Sequence, residues 1–303
     1  MALSAVNNTT AFHVFTDYTA NNTQLQKSMH RLSTGVKTAV DDAAGISISE
    51  RMRSNIRGTA SARTNVENTI SLLQTTDSWL QKTNDMLARM TELIIESNDA
   101  TKSSIDKNNI QTEFKELQDE ITRITSGNTA AAKFNGIYLF RGGNGIVTGS
   151  GLSNNEVVIG SKMTVQVGSE LNQSIDLDLP NLSSGATTTI GTVANNTVGW
   201  GSIINSTQLS IGSDHALYKV SKAIDHISNT RAVMGAKQNR LENTRGGLLT
   251  YEDNLRASES KIRDVDMARE SAELARYQVL SQVSNSMLAQ ANGLSQGILQ
   301  LVG

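Results

Sequence analysis

Residues 264–303 read DVDMARESAELARYQVLSQVSNSMLAQANGLSQGILQLVG. Wound as a helix, Leu280, Val283, Met287, Ala291, Leu294, Ile298 and Leu301 fall three or four apart and make one narrow apolar stripe opposite Gln, Ser and Asn. Such a stripe stays in water unless another helix covers it. A counterpart lies at the other end of the chain, where Ala11, Phe15, Tyr18, Asn22, Leu25, Met29, Leu32 and Val36 alternate at four and three. That is an a/d seam with polar Asn22 at one core position, of the kind that fixes register at some cost in stability. The two ends are therefore expected to pair as antiparallel or bundled helices. Each carries little apolar area beyond its stripe, and an isolated pair is marginal in water, so further copies of the chain are the expected cover.

Inward from the first stripe, residues 31–45 (RLSTGVKTAVDDAAG) interrupt the pattern, and Asp41 or Asp42 is expected to cap the helix that follows. That helix is predicted from about Gly45 to about Asn98, with Val66, Leu73, Leu80, Leu87 and Ile94 seven apart. Thr69, Thr76, Thr83 and Met90 fill its companion seam, making a long but weakly apolar coiled coil. A shorter helix carries Ile110, Phe114, Leu117, Ile121 and Ile124 and ends near Gly127. From about 134 to 212 Gly, Asn, Ser and Thr rise. Asn135 and Gly136 mark a tight turn, and residues 163–182 (MTVQVGSELNQSIDLDLPNL) read as two alternating strands around a polar loop. Helix returns from about Asp214 to Ile262, with Val220, Ile227, Met234, Leu241, Leu248, Leu255 and Ile262 seven apart, a rod of roughly 70 Å. Gly235, Gly246 and Gly247 interrupt it at about 1 kcal/mol each. The fold class is mainly α: long antiparallel coiled-coil helices from both chain halves around a small β-rich central insert.

Composition supports thin helical layers, with 4% aromatic residues and one Pro in 303 residues. The net charge of −2 comes from 27 basic and 29 acidic residues that are interspersed, so no basic patch points to nucleic acid. Absence of Cys excludes a disulfide scaffold, a thiolate zinc site and a thiol nucleophile. No apolar run reaches the length of a membrane span, and the first residues lack the pattern of a cleaved secretory leader. His13, His30, His215 and His226 are scattered without metal-ligand spacing. The glycines around Asn144 lack the strand-turn-helix setting of a phosphate loop, and no GxSxG motif occurs. No catalytic residue, metal or cofactor is expected, and an enzyme within the insert has little room for a pocket.

Several stretches resemble bacterial flagellin. LQKSMHRLSTG (Leu25 to Gly35) is similar to the family's LxKSxxRLSSG, and DDAAGISISERMRSNIRG (Asp41 to Gly58) to its DDAAGxxIxERMRxxIRG. The end of the chain, Ser260 to Leu301, resembles SRIEDADxAxExxxL…QILQQAxxxxLAQANxxPQxVLxLL, while KFNGIYLF and MTVQVG resemble FNGxxL and FQVG. Two departures stand out: five residues separate the RLSTG and DDAAG blocks where the family commonly has seven, and Ser295 replaces the usual Pro. The resemblance implies a subunit exported by the flagellar type III apparatus that polymerises into the filament used for swimming. It implies an inner tube of residues 1–42 with 264–303 and a rod domain of 43–263 carrying the insert, with no large outer domain. Phe15, Tyr18, Leu25, Met29, Leu32, Leu280, Val283, Met287, Leu294, Ile298 and Leu301 are the expected subunit-packing positions. Besides copies of itself, the implied partners are an export chaperone, the filament cap and a host Toll-like receptor, the last through Arg89, Leu93 and Glu113. The alternative is another exported flagellar structural protein, such as a hook–filament junction subunit, which shares terminal heptads.

Overall fold

A computed structural model describes residues 8–126, 130–140, 162–182, 189–193, 196–204, 209–213 and 215–302, with backbone alone at 162, 189, 191–193, 196–197 and 294–302. About three quarters of the described residues are helical. The helices are α1 (Thr9–Thr34), α2 (Ala43–Ser97), α3 (Ser104–Thr125), α4 (Gly201–Ile204), α5 (Ala216–Arg263) and α6 (Met267–Val302). Between α3 and α4 lie three antiparallel hairpins: β1 (Lys133–Phe134) with β2 (Ile137–Tyr138), β3 (Lys162–Gln166) with β4 (Ser174–Asp178), and β5 (Thr189–Val193) with β6 (Asn196–Gly199). The chain divides into two compact units, Met1–Ile56 with Asp253–Gly303, and Arg57–Glu252.

Local chemistry sets the element ends. The Asn8 side chain accepts from Ala11 N at 2.9 Å to start α1, and Gly35 ends it in the left-handed region at φ 71°, its N–H bonded to Arg31 O. Of the two candidate caps for α2, Asp42 takes the role, accepting from Gly45 N at 2.8 Å. A Cβ on Gly45 would collide with that Asp42 carboxylate, so the glycine is required by the cap. Ser103 and Asp106 form a capping box on α3, and Asp266 opens α6 by accepting from Ala268 N and Arg269 N. The Asn135–Gly136 turn has both residues at positive φ, 47° and 80°, the geometry that two-residue hairpins favour.

In the unit Arg57–Glu252, α2 and α5 pack along the expected heptads: Val66, Leu73, Leu80, Leu87 and Ile94 are buried, as are Val220, Ile227, Met234 and Leu241. Thr69, Thr76 and Thr83 are buried too, and each hydroxyl bonds the carbonyl four residues back at 2.7–3.0 Å. Their polar groups are satisfied within α2, leaving the methyls to pack. Phe114, Ile121 and Ile124 of α3 complete this core with Trp200, Ile203 and Ile204. The β3–β4 register sets Met163 against Leu177 and Val165 against Ile175. β5–β6 and α4 are elements that the residue pattern did not single out. The expected end at Gly127 and the glycines around Asn144 lie outside the described residues.

Candidate functional site

Within the unit of both chain ends, α1 and α6 run antiparallel. Asn8 Nδ2 donates to Ala291 O at 3.0 Å near one end, and Arg31 reaches Glu270 at 3.4 Å near the other. The α1 residues turned inward are Ala11, Val14, Tyr18, Asn21, Leu25, Ser28 and Leu32; on α6 they are Leu274, Tyr277, Ser281, Ser284, Leu288 and Ala291, with Leu280 half-buried beside them. Both sets step strictly by three and four, but they differ from the expected seams. Tyr18, Leu25, Leu32 and Leu280 are where the periodicity placed them. Phe15, Met29, Val283 and Met287 are not: they stay 54%, 49%, 51% and 52% exposed.

The correction has a physical cause. A heptad leaves two phases open at each turn, and at two of them on α1 the inward residue is the smaller, Val14 rather than Phe15 and Ser28 rather than Met29. That choice favours closer approach, because the distance between helix axes follows the side chains at the contact. The larger residues face out. Phe12 and Phe15 with Met29 on α1, and Val279, Val283 and Met287 at four-residue steps on α6, make two apolar faces that the described residues of the chain leave exposed. The Leu294, Ile298 and Leu301 side chains lie outside the described residues.

The link from α1 to α2 is tied down at the same end of the pair. Lys37 N donates to Arg263 O and Val265 N to Gly35 O, bridging Val36 to Asp264. Arg31 bonds Asp41 at 2.7 Å as well as Glu270, and both carboxylates are buried. Asp41 thus serves as the anchor of Arg31 rather than as a helix cap. The guanidinium beside it, with help from Thr38, holds its carboxyl well below the usual carboxylate range.

In the other unit, Arg89 and Glu113 are exposed and bonded to each other at 2.8 Å. Leu93 is 1% exposed and belongs to the core, so it offers nothing to the surface on which those two lie. Periodicity also passed over Gln111 and Gln118. Gln118 Nε2 donates to Ile203 O and Leu209 O, and Gln111 accepts from Ile211 N, so α3 holds the connector into α5 by its backbone. Two Gln seven apart, Gln111 and Gln118, on the helix that carries Phe114 and Ile121 were the available signal. Among the described residues no group of His, Asp and Glu could hold a metal, and no helix is long and apolar enough to cross a membrane.

Residues 6–145 match the model of the bacterial flagellin N-terminal helical region, and residues 217–302 that of the flagellin C-terminal helical region. The chain belongs to the flagellin family. It is 35% identical to a flagellin of Bacillus subtilis (strain 168), over 97% of this chain and 98% of that one. It is 37% identical to the flagellar filament 33 kDa core protein of Treponema phagedenis, over 95% and 96%. A putative flagellar hook-associated protein from Vibrio parahaemolyticus has a similar fold, with a TM-score of 0.53 at 14% identity, covering 74% of this chain and all of that one. The fold is therefore shared with a hook-associated protein, whereas near full-length identity above 30% runs to filament proteins. This flagellin is a structural subunit of the flagellar filament, in a family without a catalytic role.

Proposed function

We propose that the outward faces of α1 and α6 are the surfaces on which copies of this flagellin pack in the filament, with the terminal pair as inner tube and the long helices as the next shell. The observation that carries this is the exposure of Phe15, Met29, Val283 and Met287 beside an inner seam in which Leu alternates with Ala, Ser, Asn and Tyr. Apolar faces that do not close on their own chain, used head-to-tail, yield an open helical polymer. In the sequence, Leu294, Ile298 and Leu301 continue the three-and-four spacing of Val283 and Met287. Before assembly the same α6 face is what an export chaperone would cover, and at the growing tip the filament cap would receive the arriving subunit; both roles rest on the family. For a Toll-like receptor, Arg89 and Glu113 supply the exposed charged pair, and Leu93 supports it from below.

The test is Val283→Glu with Met287→Glu. Both side chains are half in water in the free chain, so its circular dichroism is expected to match the parent. Between subunits the two carboxylates would cost several kcal/mol, so sedimentation is expected to show no filaments. Normal filaments from this variant would remove α6 from the subunit interface.

A further inference from the structure

Gly246 and Gly247 lie together inside α5, and a Cβ at either would meet nothing within 4 Å. No packing among the described residues calls for them, in contrast to Gly58 of α2, where a Cβ would come within 2.8 Å of the Ser169 Cβ. Adjacent glycines in a helix interior weaken it and are a recognised cause of bends. At the same level three other features loosen the α2–α5 pair. Its run of large buried apolar partners ends at Val66 and Leu241; beyond them the buried residues are small, Ala62 and Thr59, Leu248 is half-buried, and Arg63 faces Glu252 at 3.8 Å. Thr59 Oγ1 is buried without a hydrogen-bond partner, and Arg63 Nε has the Glu252 carboxylate only at ion-pair range. A cavity of about 590 Å³ opens between Thr59, Arg240, Thr244, Leu248, Tyr251 and the β3–β4 turn.

We propose that Gly246–Gly247 is a bending joint built into α5, the level at which the paired long helices yield first. A load that bends the pair is taken up here, while the stretch from Ile227 to Leu241 stays straight. The inference concerns the unassembled chain and stands apart from the packing of copies through α1 and α6.

Amide exchange on the full-length unassembled chain tests it. Residues 244–252 are expected to exchange at least about tenfold faster than residues 223–241. Gly246→Ala with Gly247→Ala is expected to slow them by about 20-fold, whereas Gly235→Ala, with the same gain in helix propensity per residue but outside the joint, is expected to change them less than about twofold. Because the chain has no Cys, spin labels at Ser228→Cys and Ala257→Cys report the bend directly. The distance distribution is expected to be broad in the parent and to narrow toward about 43 Å, the span of 29 helical residues, in the double-alanine variant. Exchange at 244–252 as slow as at 223–241, or a parent distribution already as narrow as the variant's, overturns the joint.

Discussion

Asp41→Asn tests whether the Arg31 cluster holds the terminal pair to the start of α2. One Asp41 oxygen accepts from Arg31 at 2.7 Å, and the other accepts from Thr38 N and Thr38 Oγ1 at 2.9 Å each, with the side chain 7% exposed. Asn keeps the volume and an acceptor for Thr38 but removes the charge. Breaking a buried pair by removing one partner costs about 3–5 kcal/mol. Here the loss is reduced, because the Arg31 side chain is 24% exposed and Glu270 still faces it at 3.4 Å; about 2 kcal/mol remains. That corresponds to roughly 30-fold faster amide exchange in the last two turns of α1 and the first two of α6 at pH 7. The folded-state carboxyl is depressed, so its contribution is fully present above the unfolded value near 4 and is lost as pH falls through the folded value. The gap between parent and variant is therefore expected to be constant from about pH 8 to 5 and to shrink below about pH 4. Equal exchange in the two proteins at pH 7, or a gap that persists undiminished at pH 3, would refute the reasoning.

Leu93→Ala is expected to cost about 2–5 kcal/mol in urea unfolding as a core truncation, while Arg89→Ala and Glu113→Ala each cost under about 1 kcal/mol. In receptor-bearing cells the latter two are expected to weaken signalling without unfolding; full signalling from both would remove the pair from receptor recognition. Gln118→Ala abandons Ile203 O and Leu209 O in the core and is expected to cost about 1–3 kcal/mol, read as a lower melting temperature.

The long helices were legible because burial on one side follows a period that a residue string displays directly, as Val66 to Ile94 and Val220 to Leu241 show. The phase of the terminal seam was not. Phe15 and Val14 are neighbours, either fits the heptad, and apolarity favours the larger, whereas close helix approach selects the smaller. Leu93, taken as a surface residue by resemblance, is buried beside Ile94 because α3 covers that flank of α2 as well. Gln118 was passed over, since nothing in its identity announces that backbone carbonyls of a later connector will meet it.

The self-satisfied threonines of α2 have a consequence for alignment. From Thr69 to Leu87 the seam repeats Thr and Leu every seven residues, and the hydroxyls address only their own helix. Sliding α2 along α5 by one heptad, about 10 Å, would set threonine where threonine was and leucine where leucine was. Such a seam adheres well but carries no address. Marks at the edge favour a single alignment: Arg63 of α2 stands against Glu252 of α5, and Arg231 of α5 grips Asp77 with two nitrogens, at 2.7 and 3.2 Å, and also reaches Gln81. An exposed pair of this kind adds at most about 1 kcal/mol to stability, yet it works as the index line on a sliding scale, telling two repetitive edges where zero is.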